Sequence, residues 1–128
     1  MRVADLMRRD FARARRNDSI QDAAKAMAES DSDVVLIEDD DGLAGLLTER
    51  DMLIRVVAVG RDPSTTPVWQ VMSATLFTCA EQDEAENVAE RMAGHGIEQM
   101  PVVDRAGRPI GFVTRRAVLG GLSSGPRA

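Results

Sequence analysis

Apolar positions fall along the chain in two rhythms, and the order of those rhythms repeats. Ile20, Ala23, Ala24, Met27 and Ala28 stand at i, i+3, i+4, i+7 and i+8, the stripe of an amphipathic helix. Ala85, Val88, Ala89, Met92 and Ala93 do the same. An extended stretch precedes each helix, Phe11 to Ala14 and Leu76 to Ala80. Two apolar strands joined by a tight turn follow each helix. Val34-Val35-Leu36-Ile37 and Leu43 to Leu47 flank Asp39-Asp40-Asp41-Gly42; Val102-Val103 and Pro109 to Val113 flank Arg105-Ala106-Gly107-Arg108. Gly suits such turns because it accepts positive φ. A last helix is predicted from Thr48, ended by Gly60, and again from Thr114, ended by Gly120-Gly121.

These parallels are a tandem repeat. Val3-Ala4-Asp5-Leu6-Met7 returns as Val68-Trp69-Gln70-Val71-Met72, and Asp18 to Met27 returns as Asp83 to Met92, each 65 residues on. The run from Gly45 to Leu53 returns as Gly111 to Leu119, 66 residues on, so one residue is inserted before the second hairpin. Three matches in one order argue against chance. The expected organisation is a first repeat over residues 1–62, a linker over 63–67, a second repeat over 68–122 and a flexible tail over 123–128. Each repeat reads β-α-β-β-α. A three-stranded sheet with both helices on one side covers itself poorly at about 60 residues. The expectation is therefore an α+β fold of two pseudo-twofold-related repeats packed sheet to sheet.

Composition narrows the function. Sixteen Lys plus Arg against 21 Asp plus Glu give a net charge of −5, which argues against nucleic acid as the main partner. No apolar run approaches the ~20 residues of a membrane span, and the N-terminus lacks the apolar core of a signal peptide, so a cytoplasmic protein is expected. The single cysteine, Cys79, excludes an internal disulfide and a CxxC metal site. It falls on an apolar stretch and reads as a small buried hydrophobe. His95, the one histidine, lies between Gly94 and Gly96 with no second His or Cys to share a metal. The Asp39-Asp40-Asp41 turn lacks the spacing of a calcium loop. The arginines between Arg8 and Arg16 read as a solvated face or as partners of the acidic turn Glu38 to Asp41. With no nucleophile constellation, no Gly-rich phosphate loop and no metal set, an enzyme is not expected.

The chemistry concentrates where a strand runs into a helix. Thr48 is a good N-cap and Asp51, three residues on, completes a capping box. The same geometry offers a helix N-terminus to a phosphate and a carboxylate to ribose hydroxyls. Physics alone favours the cap. At Thr114-Arg115-Arg116-Ala117 the carboxylate is gone and two arginines oppose the helix dipole. Either they are solvated, or an anion sits there and they hold it.

The duplicated pattern of Val-x-x-Leu-Met, helix, hairpin and Gly-h-h-Thr-x-x-Asp corner resembles the CBS (cystathionine β-synthase) domain, and two in tandem resemble a CBS pair, or Bateman module. Met100-Pro101-Val102-Val103-Asp104 matches the family's strand, whereas Val34 to Glu38 lacks the proline. The resemblance covers about Val3 to Leu122. It implies a stand-alone regulatory module that binds an adenosyl ligand (AMP, ADP, ATP, S-adenosylmethionine or a dinucleotide) in clefts between the repeats, signals to a partner protein that the sequence does not name, and forms a homodimer. For the first cleft it implies Thr48 and Asp51 on phosphate and ribose, Leu46 on the base, and Ser32, Asp33, Phe77, Ile97 and Glu98 around them. For the second it implies Phe112, Thr114, Glu98 and Gln99 with Ala12, Asp31 and Ser32; Arg115 and Arg116 are added as anion donors, and Ala117 replaces the aspartate. Asp33 and Glu98 put negative charge where a phosphate would come, a repulsion of roughly 1 kcal/mol per pair at 4 Å in water. The competing expectation is a structural dimerisation module with ligand-free clefts.

Overall fold

The structure, a computed structural model, describes residues 1–74 and 76–123. The expected tail thus lies outside the described residues except for Ser123, which ends a helix. The chain forms two compact units, one of residues 10–76 and one joining residues 1–9 to the described residues from Phe77 onward. Each unit is mixed α and β.

In the unit of residues 10–76, β1 (Ala12–Arg15) pairs in parallel with β2 (Val34–Asp39), which pairs antiparallel with β3 (Gly42–Thr48). Helix α1 (Ile20–Ser30) starts at Ser19, whose hydroxyl accepts the Asp22 N–H at 3.0 Å. It ends at Asp31, in the left-handed region at φ 48°. Ile20, Ala23 and Met27 are its buried stripe and meet Val35, Ile37, Leu47 and Val56 in one core, while Ala24 and Ala28 stay exposed. Arg13–Glu38 at 2.6 Å, Arg15–Asp40 at 3.0 Å and Arg16–Asp39 at 3.9 Å tie β1 to the end of β2, so the basic run answers the acidic turn. The 63–67 segment packs on the start of α1: Ile20 and Gln21 N–H groups donate to the Thr66 and Pro63 carbonyls.

The expected corner helix is short. Helix α2 spans Glu49–Met52 and passes into a π-helical stretch, Leu53–Val57. Ala58 N–H donates to Leu53 C=O at 2.8 Å and Arg61 N–H to Val56 C=O at 2.9 Å, both five residues apart. The β-branched Ile54, Val56 and Val57 fit an α-helix poorly. Gly60, at φ 75°, closes the segment.

In the other unit, α3 (Ala85–His95) buries Ala85, Val88 and Met92 against β4 (Gln99–Val103) and β5 (Pro109–Thr114). The expected first strand, Leu76 to Ala80, is reduced to one parallel bridge, Cys79 to Val102. Cys79 N–H donates to Pro101 C=O and Val103 N–H to Cys79 C=O. The next bond down a parallel ladder would need an N–H at residue 101, and proline has none. Leu36 holds the equivalent place in the three-stranded sheet. Thr78 and Ala80 also stand where Arg13 and Arg15 clamp β1.

Helix α4 (Arg115–Ser123) does not stop at Gly120-Gly121 as expected. A Cβ on Gly121 would strike the Leu6 side chain, so glycine here makes room for a neighbour rather than ending the helix. That neighbour belongs to the opening segment. Val3 and Ala4 N–H groups donate to Asp83 and Glu81 carbonyls, and Arg8 exchanges two backbone hydrogen bonds with Phe112. Residues 68–73 do the same in the other unit, where Ser73 exchanges two with Leu46. The lead-in of each sequence repeat thus belongs to the compact unit built on the other repeat's helices and strands.

Candidate functional site: two strand-to-helix corners

At the end of β3 the chain turns from extended backbone at Thr48 into α2. Thr48 N–H donates to Asp51 Oδ2 at 2.9 Å and the Thr48 hydroxyl to the same oxygen at 3.0 Å. Asp51 N–H donates back to Thr48 Oγ1 at 3.2 Å. The capping box is therefore formed, and it uses one carboxylate oxygen only. The other, Oδ1, has Arg55 Nε at 4.0 Å, beyond hydrogen-bond reach. Arg55 was absent from the expected site, although its i,i+4 spacing from Asp51 was readable. Its guanidinium is anchored by a 2.9 Å bond to Val71 C=O.

Of the other candidates of this unit, Asp33 meets the corner through its backbone. Asp33 C=O accepts the Glu49 N–H at 3.2 Å, which sets the entry to α2 beside the start of β2. Ser32 is 4% exposed and its hydroxyl closes on Val34, donating to the C=O at 2.8 Å and accepting the N–H at 3.2 Å. Leu46 is half-buried on β3, Ala12 is buried on β1, and Asp31 is exposed at the end of α1.

The second corner has the same frame with different side chains. Ala117 N–H donates to Thr114 Oγ1 at 3.1 Å, so the cap survives without the reciprocal carboxylate. Arg115 N–H donates to Glu98 C=O at 2.8 Å, and its guanidinium reaches Glu98 Oε1 at 3.4 Å. Arg115 thus offsets the Glu98 charge, and both side chains are substantially exposed. Arg116 is exposed, and Gln99 begins β4. Phe112 is fully buried, with the Arg8 guanidinium 5.6 Å from its ring centre. Phe77 stacks on His95 with ring centres 4.1 Å apart, and Ile97 packs against the same core.

Cys79 is 4% exposed, and burial, with the Asp83 carboxylate nearby, pushes its thiol up to about 12. No group of three or more His, Cys, Asp or Glu side chains placed to hold a metal occurs among the described residues. No helix there is long and apolar enough to cross a membrane.

A duplicated α+β unit whose last strand ends in a threonine-capped helix start defines a tandem pair of like domains. A family model of the CBS domain matches residues 3–58 and again 68–124, and the chain belongs to that family. A CBS domain-containing protein of Bacillus subtilis (strain 168), YhcV, is 35% identical over 103 residues, 80% of this chain and 73% of that protein. A relative from Methanopyrus kandleri is 31% identical over 118 residues, and the matched region spans 91% of this chain but only 60% of the relative. The crystal structure of the CBS domain pair of protein MJ0100, in complex with 5′-methylthioadenosine and S-adenosyl-L-methionine, superposes with a TM-score of 0.81 at 26% identity. The match covers 95% of this chain and 99% of that one.

Proposed function

We propose that this chain is a non-catalytic, cytoplasmic ligand sensor that binds an adenosyl compound at the Thr48–Asp51 corner and passes the bound state to a protein partner. The observation that carries the reading is Asp51 Oδ1, which makes no hydrogen bond and has only the Arg55 guanidinium beside it, at 4.0 Å. The capping box satisfies Oδ2 and leaves a half-buried carboxylate oxygen free to accept a ribose hydroxyl, a charge-assisted bond worth about 1.5–3 kcal/mol. The adenosyl ligands of the MJ0100 pair support the ligand class. The second corner, with Ala117 in place of the aspartate, binds more weakly, through Thr114 and Arg116. Calorimetry against AMP, ATP, S-adenosylmethionine and 5′-methylthioadenosine tests this. One strong site per chain, weakened tenfold or more in folded Asp51→Asn, is expected beside a weaker one that the substitution leaves unchanged. Unchanged affinity in that variant returns Asp51 to its capping role.

A second reading, an interaction module, is favoured by one observation. Leu53, Ile54, Val57 and Val59 are 61%, 48%, 65% and 63% exposed on the π-helical segment and the turn after it. A homodimer that covers them is compatible with ligand sensing. Silence of every adenosyl compound in calorimetry would leave this reading alone.

A further inference from the structure

We propose that Arg55 is a second ribose-reading residue, which together with Asp51 brackets one hydroxyl of the ligand. The inference rests on the adenosyl reading above and extends it to a residue outside the Gly-h-h-Thr-x-x-Asp motif. Three observations carry it. First, Arg55 Nε stands 4.0 Å from Asp51 Oδ1, too far to bond directly. An oxygen about 2.8–3.0 Å from each atom closes that triangle. A hydroxyl is the group that fits, because it donates to the carboxylate and accepts from the guanidinium at once. Second, the guanidinium is held in place from outside the corner. One of its terminal nitrogens is spent on Val71 C=O at 2.9 Å, which anchors the side chain with its Nε 4.0 Å from Asp51 Oδ1.

Third, the other corner lacks the whole device. Asp51, Arg55 and Val71 correspond to Ala117, Gly121 and Leu6 in the repeat. There Leu6 fills the space over the helix, and a Cβ on residue 121 would already strike it. The carboxylate and the guanidinium are present together or absent together, as expected of two halves of one recognition element. A surface i,i+4 ion pair alone would be worth only a few tenths of a kcal/mol.

The test is calorimetric binding of adenosine, AMP, 2′-deoxyadenosine and 3′-deoxyadenosine to the full chain, to Asp51→Asn, and to Arg55→Met and Arg55→Ala. Arg55→Met keeps the packing stem and removes only the donors, so it guards against a folding defect in Arg55→Ala. The expected result is a loss of about tenfold for adenosine in both Arg55 variants. The preference for adenosine over at least one deoxy analogue shrinks by the same factor, and AMP falls no further than adenosine does. A loss confined to AMP would make Arg55 a phosphate contact and overturn the proposal. If Asp51→Asn loses binding while both Arg55 variants keep the native preference, this inference fails alone. If the native chain binds none of the four, or Asp51→Asn binds as well as native, the adenosyl reading fails and this one with it.

Discussion

Gly111→Ala should destabilise the protein far more than Gly45→Ala, although the two glycines hold equivalent places in the repeat. A Cβ on Gly111 would meet the Arg8 carbonyl oxygen and the Met7 methyl group. The Arg8 oxygen cannot retreat cheaply. It accepts the Phe112 N–H at 3.0 Å, while Arg8 N–H donates to Phe112 C=O at 2.8 Å. Relief moves the opening segment off β5 and weakens both bonds, at about 0.5–1.5 kcal/mol each. Overpacking a closed site typically adds 1–3 kcal/mol, so a gross cost of about 2–6 kcal/mol is expected, of which the stiffer unfolded alanine chain returns about 0.4–1 kcal/mol. At Gly45 the new Cβ meets only the Met72 side chain, whose Cβ would be 3.2 Å away. Methionine has rotatable bonds with which to swing aside. The lower entropy of the unfolded alanine chain returns about 0.4–1 kcal/mol, leaving a cost of about 1 kcal/mol or less. Thermal unfolding followed by circular dichroism should separate the variants by roughly 5–15 °C, at about 3–5 °C per kcal/mol for a chain of this size. Equal melting temperatures, or a less stable Gly45→Ala, would refute the claim that the lead-in backbone is locked against β5.

Three further outcomes are expected. Asp51→Ala should lose about 1 kcal/mol in urea unfolding without ligand, because Thr48 N–H and hydroxyl lose their acceptor; unchanged stability would deny the cap an energetic role. The Cys79 thiol, raised from 9.0 to about 12, stays protonated in both states below pH 9; between 9 and 12 it ionises only in the unfolded chain, so stability falls there. Cys79→Ala should lack that extra fall, and alkylation of the native thiol at pH 8 should await unfolding; fast native alkylation would contradict the burial. Val57→Asp should shift the mass from dimer to monomer in light scattering, and a native monomer at micromolar concentration would exclude the dimer.

The periodic elements were legible because their signals are local. Ile20, Ala23 and Met27 declare a buried helical face by spacing alone, and the Thr48-to-Asp51 spacing declares the box that forms. What escaped the reading depends on contacts far apart in sequence. Val3 to Met7 looks like the start of its own repeat, yet its distant backbone partners are Glu81 and Asp83, and those of Arg8 just after it are on Phe112. Nothing in five residues announces such an exchange. The missing strand at Leu76 to Ala80 had a readable cause in Pro101, because a proline on the paired edge removes a ladder donor. The same proline carries the family resemblance, which says nothing of its cost to the neighbouring strand. Arg55 lies beyond the aspartate that ends the motif, and its anchor is Val71, whose approach to Arg55 the sequence does not declare.

The two corners show how duplication lets one template serve two ends. Both keep the threonine cap, since an uncapped helix start leaves N–H groups without partners whatever the site does. Beyond the cap, everything turns on what meets the following helical segment from the lead-in. Where Leu6 lies against it, the glycine at residue 121 leaves room for the leucine side chain, and α4 runs on as regular helix. Where Val71 lies against it, its carbonyl is reachable, a long cationic side chain can anchor on it, and the segment takes the wider π turn. A carboxylate beside that cation gains a reason to remain beyond capping; at residue 117 no such cation follows four residues on, because residue 121 is glycine. The loss of the aspartate at Ala117 is thus the polar counterpart of a packing choice made at residues 6 and 121.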